Sequence, residues 1–257
     1  MKNGDLAEVA RLLKQGVDPN CVSSDWYKTR PIILAASGGQ TEILRLLLDQ
    51  PALDPNLSDG LFGNTALIDA SHAGNTDVVR MLVEDKRVDL NFRTKGSGIT
   101  ALMQAARYGH TSVVEMLVMK EEEGVNMQSG GGCTPLMLGC MAPNMAVLND
   151  PQMFRVMLAA KGLDLTIKDG QGKTALDWAR DKELFMVEKL IIECEGAGEG
   201  KEGDKVIQLE LQVRMLQEKL DKSENLNKAL TDNVEELNMR IKDQEVKISF
   251  LKGKGRV

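Results

Sequence analysis

Three groups of residues in this chain have types that could do chemistry. The first is Gly170-Gln171-Gly172-Lys173-Thr174, which ends like a phosphate-cradling loop. Such a loop holds phosphates with backbone N–H groups and a lysine, and its pattern also needs an earlier glycine, after a strand. That earlier position is Ile167, so no nucleotide site is expected. The second group is His72 and His110, the only histidines. Neither has a cysteine or carboxylate set beside it at ligand spacing, so no zinc site is expected. No nucleophile motif accompanies them either. The third group is Cys21, Cys133, Cys140 and Cys194, far apart and without a CxxC pair. Reduced thiols in a reducing compartment are the simplest reading. The chain is therefore read as a non-enzyme, with no catalytic residue, cofactor or metal.

The totals narrow the class further. With 257 residues the chain can bury a sizeable core and hold two parts. It is 42% hydrophobic but only 4% aromatic, which suits close-packed helices better than a β sandwich. A formal net charge of −6 argues against nucleic acid as a partner. The N-terminal MKNGDLAEVARLL is polar and lacks the apolar core of a signal peptide. No run of 18 apolar residues exists, so no membrane insertion is expected. A cytoplasmic setting follows, with the nucleus as the other possibility. The 14 methionines fall mostly at helix positions and read as core fillers.

The elements that must position any site are repeats. A first-helix opening recurs as RPIILAASGG from Arg30, TALIDASHAGN from Thr65, TALMQAARYGH from Thr100, TPLMLGCMAPN from Thr134 and TALDWARDKE from Thr174. Successive starts lie 35, 35, 34 and 40 residues apart. A second helix recurs from Val9, Ile43, Val78, Val113, Phe154 and Val187, and VDPNC, LDPNL, VDLNF, VNMQ and LDLTI follow the first five. Each helix carries one apolar stripe at helical spacing. None is long enough to be stable alone, so the units must stack. Thr at each start can cap its helix, and Pro31 and Pro135 fit a first helical turn. Paired Ala lets first helices approach closely. The Asp or Asn of each linker can set a turn.

These motifs resemble the ankyrin-repeat family, whose unit is a β-turn and two helices around a T-P-L-H-x-A core. The resemblance covers about Gly4 to Glu193, as an N-terminal half unit and five full units. It implies an all-α solenoid of helix-turn-helix units with β-turn hairpins. The ankyrin domain is placed at 1–194, with the half repeat at about 4–21 and repeats at about 24–57, 59–92, 95–127, 129–167 and 169–193. The half repeat is either a shortened cap or a sign that a start is missing. Ile33, Ile68, Met103, Met137 and Asp177 stand where the family has His, removing its usual link between turns. Gly139 replaces a core Ala, and the fifth unit gains about six residues around 142–151, read as a tolerated surface insertion.

In this family the hairpins and first helices line a concave face that binds a protein partner. Carried over by position, the resemblance points to Trp26, Tyr27, Phe62, Asn64, Ile99, Arg107, Tyr108, Met141 and Lys173. Trp, Tyr and Arg are the residue types of interface anchors. Trp178, inside a first helix, reads instead as packing.

Past Cys194 the composition shifts to a Gly- and charge-rich stretch, read as a flexible linker at 195–205. A heptad runs from 206 to 251. Its a positions are Val206, Val213, Leu220, Asn227, Val234, Ile241 and Ile248; its d positions are Leu209, Leu216, Ser223, Leu230, Leu237, Gln244 and Leu251. At 1.5 Å per residue it spans about 69 Å. β-branched a positions with Leu at d favour a parallel two-stranded coiled coil, and Asn227 would set its register. Lys219 with Glu224, and Arg240 with Glu245, have the spacing for interchain pairs. The chain thus reads as a protein-interaction adaptor or scaffold, a homodimer through its coiled coil. The alternative is a regulatory or inhibitory subunit that masks a partner surface while its coiled coil pairs with a different chain.

Overall fold

The computed structural model describes residues 6–24, 28–120, 123–142 and 151–197. The coiled coil proposed for 206–251, and Trp26 and Tyr27, lie outside them. Within them every regular element is a helix: α1 (Leu6–Lys14), α2 (Pro31–Ser37), α3 (Thr41–Leu48), α4 (Ala66–Ala73), α5 (Thr76–Glu84), α6 (Ala101–Tyr108), α7 (Thr111–Lys120), α8 (Pro135–Cys140), α9 (Pro151–Leu158), α10 (Ala175–Asp181) and α11 (Phe185–Ala197), with a 3-10 turn at Glu123–Asn126. The half unit supplies α1 alone, and the insertion ends as read, with Pro151 opening α9. Most of the insertion, 143–150, is outside the described residues. The last helix runs on to Ala197, past the boundary read at 194.

Two layers result. First helices α2, α4, α6, α8 and α10 pack in a row, and second helices α1, α3, α5, α7, α9 and α11 form the other row. Side-chain size explains the spacing. Ala35, Ala36, Ala70, Ala105 and Ala106 are fully buried and let the first helices approach closely. Leu44, Leu47, Val79, Leu82, Val113 and Val114 fill the space between layers. The residues replacing the family His are apolar fillers in four units: Ile33, Ile68, Met103 and Met137 are buried. Gly139 also has a packing reason. A Cβ there would lie 3.2 Å from Met153 Cε and 3.3 Å from Phe154 Cε1, so its absence makes room for the buried Phe154 ring.

Helix starts follow the capping logic. Thr65, Thr100, Thr134 and Thr174 each accept a hydrogen bond from the backbone N–H three residues on, at 3.5, 3.3, 3.4 and 3.2 Å. This satisfies a donor that the helix leaves unpaired. Asp177 completes a reciprocal cap by accepting from the Thr174 N–H at 2.9 Å. Arg30 stands where the other units have Thr and makes no such cap. Its guanidinium instead donates to the Ser58 and Asn20 carbonyls, tying its unit to both neighbours. Several first helices end at a left-handed residue. Gly74 and Gly109 supply it at φ 71° and 74°, and Glu183 takes it at φ 54° in the last unit, where a side chain is strained.

The linkers hold a rung that the sequence reading did not separate from the local turn. Asp18, Asp54 and Asp89 do set turns, each accepting from the N–H two residues on. The Asn at the end of the first two turns, and Asn126 in a later linker, reach across. Asn20 Nδ2 donates to the Ala52 carbonyl at 2.7 Å while its Oδ1 accepts from the Asp54 N–H at 2.9 Å. Asn56 repeats this on Arg87 and Asp89, and Asn126 on Gly162 and Asp164. In the unit that follows, Thr166 occupies the place and turns back on its own Asp164 at 2.6 Å. Each rung satisfies two backbone groups with one amide. Asn56→Ala should therefore cost about 1–3 kcal/mol by chemical denaturation, because two groups lose partners at once. Thr166→Ala, which breaks no cross-unit bond, should cost less than half of that.

Candidate protein-binding surface

The hairpins that precede each first helix are closed by a polar side chain at their root. Asp59 Oδ1 accepts from the N–H groups of Leu61, Phe62 and Gly63 at 3.0, 2.7 and 2.8 Å. Thr94 Oγ1 accepts from the Ile99 N–H at 2.8 Å, and Ser129 Oγ from the Cys133 N–H at 3.1 Å. Asp169 Oδ1 accepts from Gln171 and Lys173 N–H at 2.8 and 3.0 Å. Neighbouring hairpins join through Gly130 N–H to the Ser97 carbonyl (2.7 Å) and Gly170 N–H to the Gly131 carbonyl (2.9 Å). A side chain on Gly132 would collide with the next hairpin, a Cβ falling 2.8 Å from Gly170 N. The Gly-rich stretches at 129–134 and 170–174 are therefore structural turns.

Against this frame the candidate residues separate. Phe62 is 63% exposed, and Arg107 and Tyr108 are exposed on the last turn of α6. Asn64 is half-buried and donates to Asp69 Oδ1 at 2.8 Å. Burial pushes the Asp69 carboxyl up from its ordinary range, opposed by that hydrogen bond. Ile99 and Met141 are half-buried. Lys173 is already engaged, paired with Asp181 and with its ammonium 4.5 Å from the Trp178 ring centre. Tyr108 is also partly spent, its ring meeting His72 edge-on at 4.3 Å. Arg107, the other exposed residue at the end of α6, makes no hydrogen bond, ion pair or ring contact among the described residues.

The histidines work on the frame too. His110 Nε2 lies 2.9 Å from the His72 carbonyl, and at the matching place one unit earlier Asn75 Nδ2 donates to Ala36 and Ser37 carbonyls. These links bridge neighbouring turns from a position other than the one where the family's His is missing. The cysteines are free thiols, and burial pushes Cys140 up to about 12. Burial, then Asp169, raises Cys133. Among the described residues no helix is long and apolar enough to cross a membrane.

Stacked helix pairs and rooted hairpins define a repeat solenoid. A family model for ankyrin repeats (3 copies) matches residues 1–94 and 86–169, and the chain belongs to that family. Among solved structures it is similar to an ankyrin repeat domain from Acinetobacter baumannii AYE, with 22% identity and a TM-score of 0.64. That match covers 76% of this chain and 94% of the other, a likeness of fold. No curated protein matches the chain. Ankyrin repeats generally mediate protein–protein interaction.

Asp169 gives the frame a testable acid limit. Burial raises its carboxyl, but the Lys173 N–H, the Trp178 indole (2.8 Å from Oδ2) and the Gln171 N–H outweigh this and hold it below the usual range. A depressed folded value means its stabilisation is present above about pH 4 and fades as pH falls through that depressed value. Asp169→Asn sets an amide N–H against the indole N–H. It should lose about 1–3 kcal/mol at pH 7, and the gap to the parent should narrow in urea melts taken below pH 4.

Proposed function

We propose that this chain is a non-enzymatic adaptor that binds a protein on the concave side of its ankyrin array and pairs through its C-terminal heptads. One observation carries the binding half. Arg107 is exposed at the end of the most regular first helix, whose Ala101, Leu102, Met103, Ala105 and Ala106 are all buried in the repeat core, and it has no partner among the described residues. A guanidinium held on a rigid helix end, beside an exposed tyrosine, has the composition of an interface anchor. Asn64, Ile99 and Met141 would frame it, and Lys173 would contribute through its ion pair with Asp181. Trp26 and Tyr27 would extend the surface.

The pairing half rests on the sequence. Val206, Leu209, Val213, Leu216, Leu220, Leu230, Val234, Leu237, Ile241, Ile248 and Leu251 form a narrow stripe of period 3.5, with Asn227 as its polar register point. Two arrays on one stalk would raise avidity for a clustered target. The free thiols support work in the cytoplasm or nucleus.

Two measurements test this. Light scattering of the full chain at tens of micromolar should give twice the 28.2 kDa chain mass; a monomer ends the pairing claim. Arg107→Glu should reduce capture of a bound protein by about tenfold or more while moving the melting temperature by no more than about 2 °C. Undiminished capture would remove Arg107 from the surface.

A further inference from the structure

The repeats supply their own control for what a hairpin needs. Leu61 and Phe62 stand where the next hairpin has Gly96 and Ser97, and where later ones have glycine or Gln171. All these hairpins close by the same backbone bond, in which the N–H of Asp59, Thr94, Ser129 or Asp169 donates to the carbonyl of the residue before the capping Thr, at 2.9 to 3.0 Å. The fold therefore has no use for two large apolar side chains at this tip, yet both face solvent, Leu61 at 37% and Phe62 at 63% exposure.

The tip is also rigid and flanked by cations. Three of its N–H groups converge on Asp59 Oδ1, and the Asp59 N–H closes the turn on the Asn64 carbonyl at 2.9 Å. A side chain that is already positioned loses little freedom on binding. Exposed Lys28 and Lys95 belong to the hairpins on either side. A Cβ built on Gly60 would fall 2.8 Å from Lys28 Cβ, and one built on Gly63 would fall 3.1 Å from Lys95 N. The Asp59 carboxylate is turned inward on the backbone, while among the described residues Lys28 and Lys95 are the exposed charges on the flanking hairpins.

We propose that Leu61 and Phe62 form a peg that enters an apolar pocket bordered by carboxylates on the protein partner. The apolar pair supplies the burial and the lysines supply register and approach. An anionic bilayer would attract the same tip, but a chain of net charge −6 is repelled by such a surface as a whole. The proposal rests on the protein-binding reading above and adds the chemistry of the partner.

The test uses the full chain and a phage-displayed library of random peptides. Leu61→Gly with Phe62→Ser copies the neighbouring hairpin, so the variant should melt within about 2 °C of the parent. Selected peptides should combine Asp or Glu with large apolar residues. Their affinity should fall by about tenfold or more in the double variant, and several-fold for Lys95→Glu, with a smaller Lys95→Glu effect at high salt. The proposal is overturned if no such peptides are selected, or if the double variant binds them equally. Equal binding by the double variant with loss in Arg107→Glu would sink the peg and leave the protein-binding reading standing. Sedimentation with phosphatidylserine vesicles that is lost in the double variant would assign the tip to membranes instead. Should the double variant unfold, an unchanged affinity for Lys95→Glu at low salt overturns the charged rim.

Discussion

No helix pair in this chain can bury its apolar stripe by itself, and the rest of the structure follows from that constraint. Helices of six to thirteen residues are marginal alone in water. Each pair gains stability by covering its stripe with the next pair, so the interface between units is the element of the fold. Size then sets geometry. Alanines on first helices bring backbones close, while leucines and valines on second helices hold the layers apart. Where a unit carries the bulky Phe154, Gly139 compensates for it. The interface thus conserves volume even where single residues depart from the repeat.

Apolar packing is non-directional, so something else must set how one unit turns against the next. Polar rungs do this. Asn20, Asn56 and Asn126 each clamp two backbone groups of the following unit. Asn75 and His110 reach back to the preceding helix end, and Arg87 donates to the Leu48 carbonyl at 2.6 Å. Each satisfies backbone that helix ends and turns would leave unpaired. The rungs stop at Thr166, which bonds within its own turn. These links replace the one that the family's His would make.

The frame leaves few exposed side chains over. Hairpin roots, caps, alanines and rungs use most side chains on the hairpin side. Phe62, Leu61 and Arg107 remain, on backbone held from beneath by bonds they do not make themselves. Such a surface keeps its shape while its side chains vary, because the residues that hold it are not the residues that project from it.

The sequence by itself determined the repeat period, the order of helices, the threonine caps and the place of the insertion. These are local: capping, helical spacing and small residues at close approaches leave marks within a few positions. Among the candidate residues that the family resemblance pointed to by position, Phe62, Arg107 and Tyr108 are exposed. The tertiary structure alone decided which side chains were already spent. Lys173 looked available until Asp181 and Trp178 appeared beside it, and Tyr108 until its ring met His72. Of these, Tyr108 meets a residue of the neighbouring unit. The linker Asn read as turn formers, yet their partners lie more than thirty residues away. A hydrogen bond between units depends on the angle at which they stack, and that angle is a property of the packed interface rather than of any one stretch of chain.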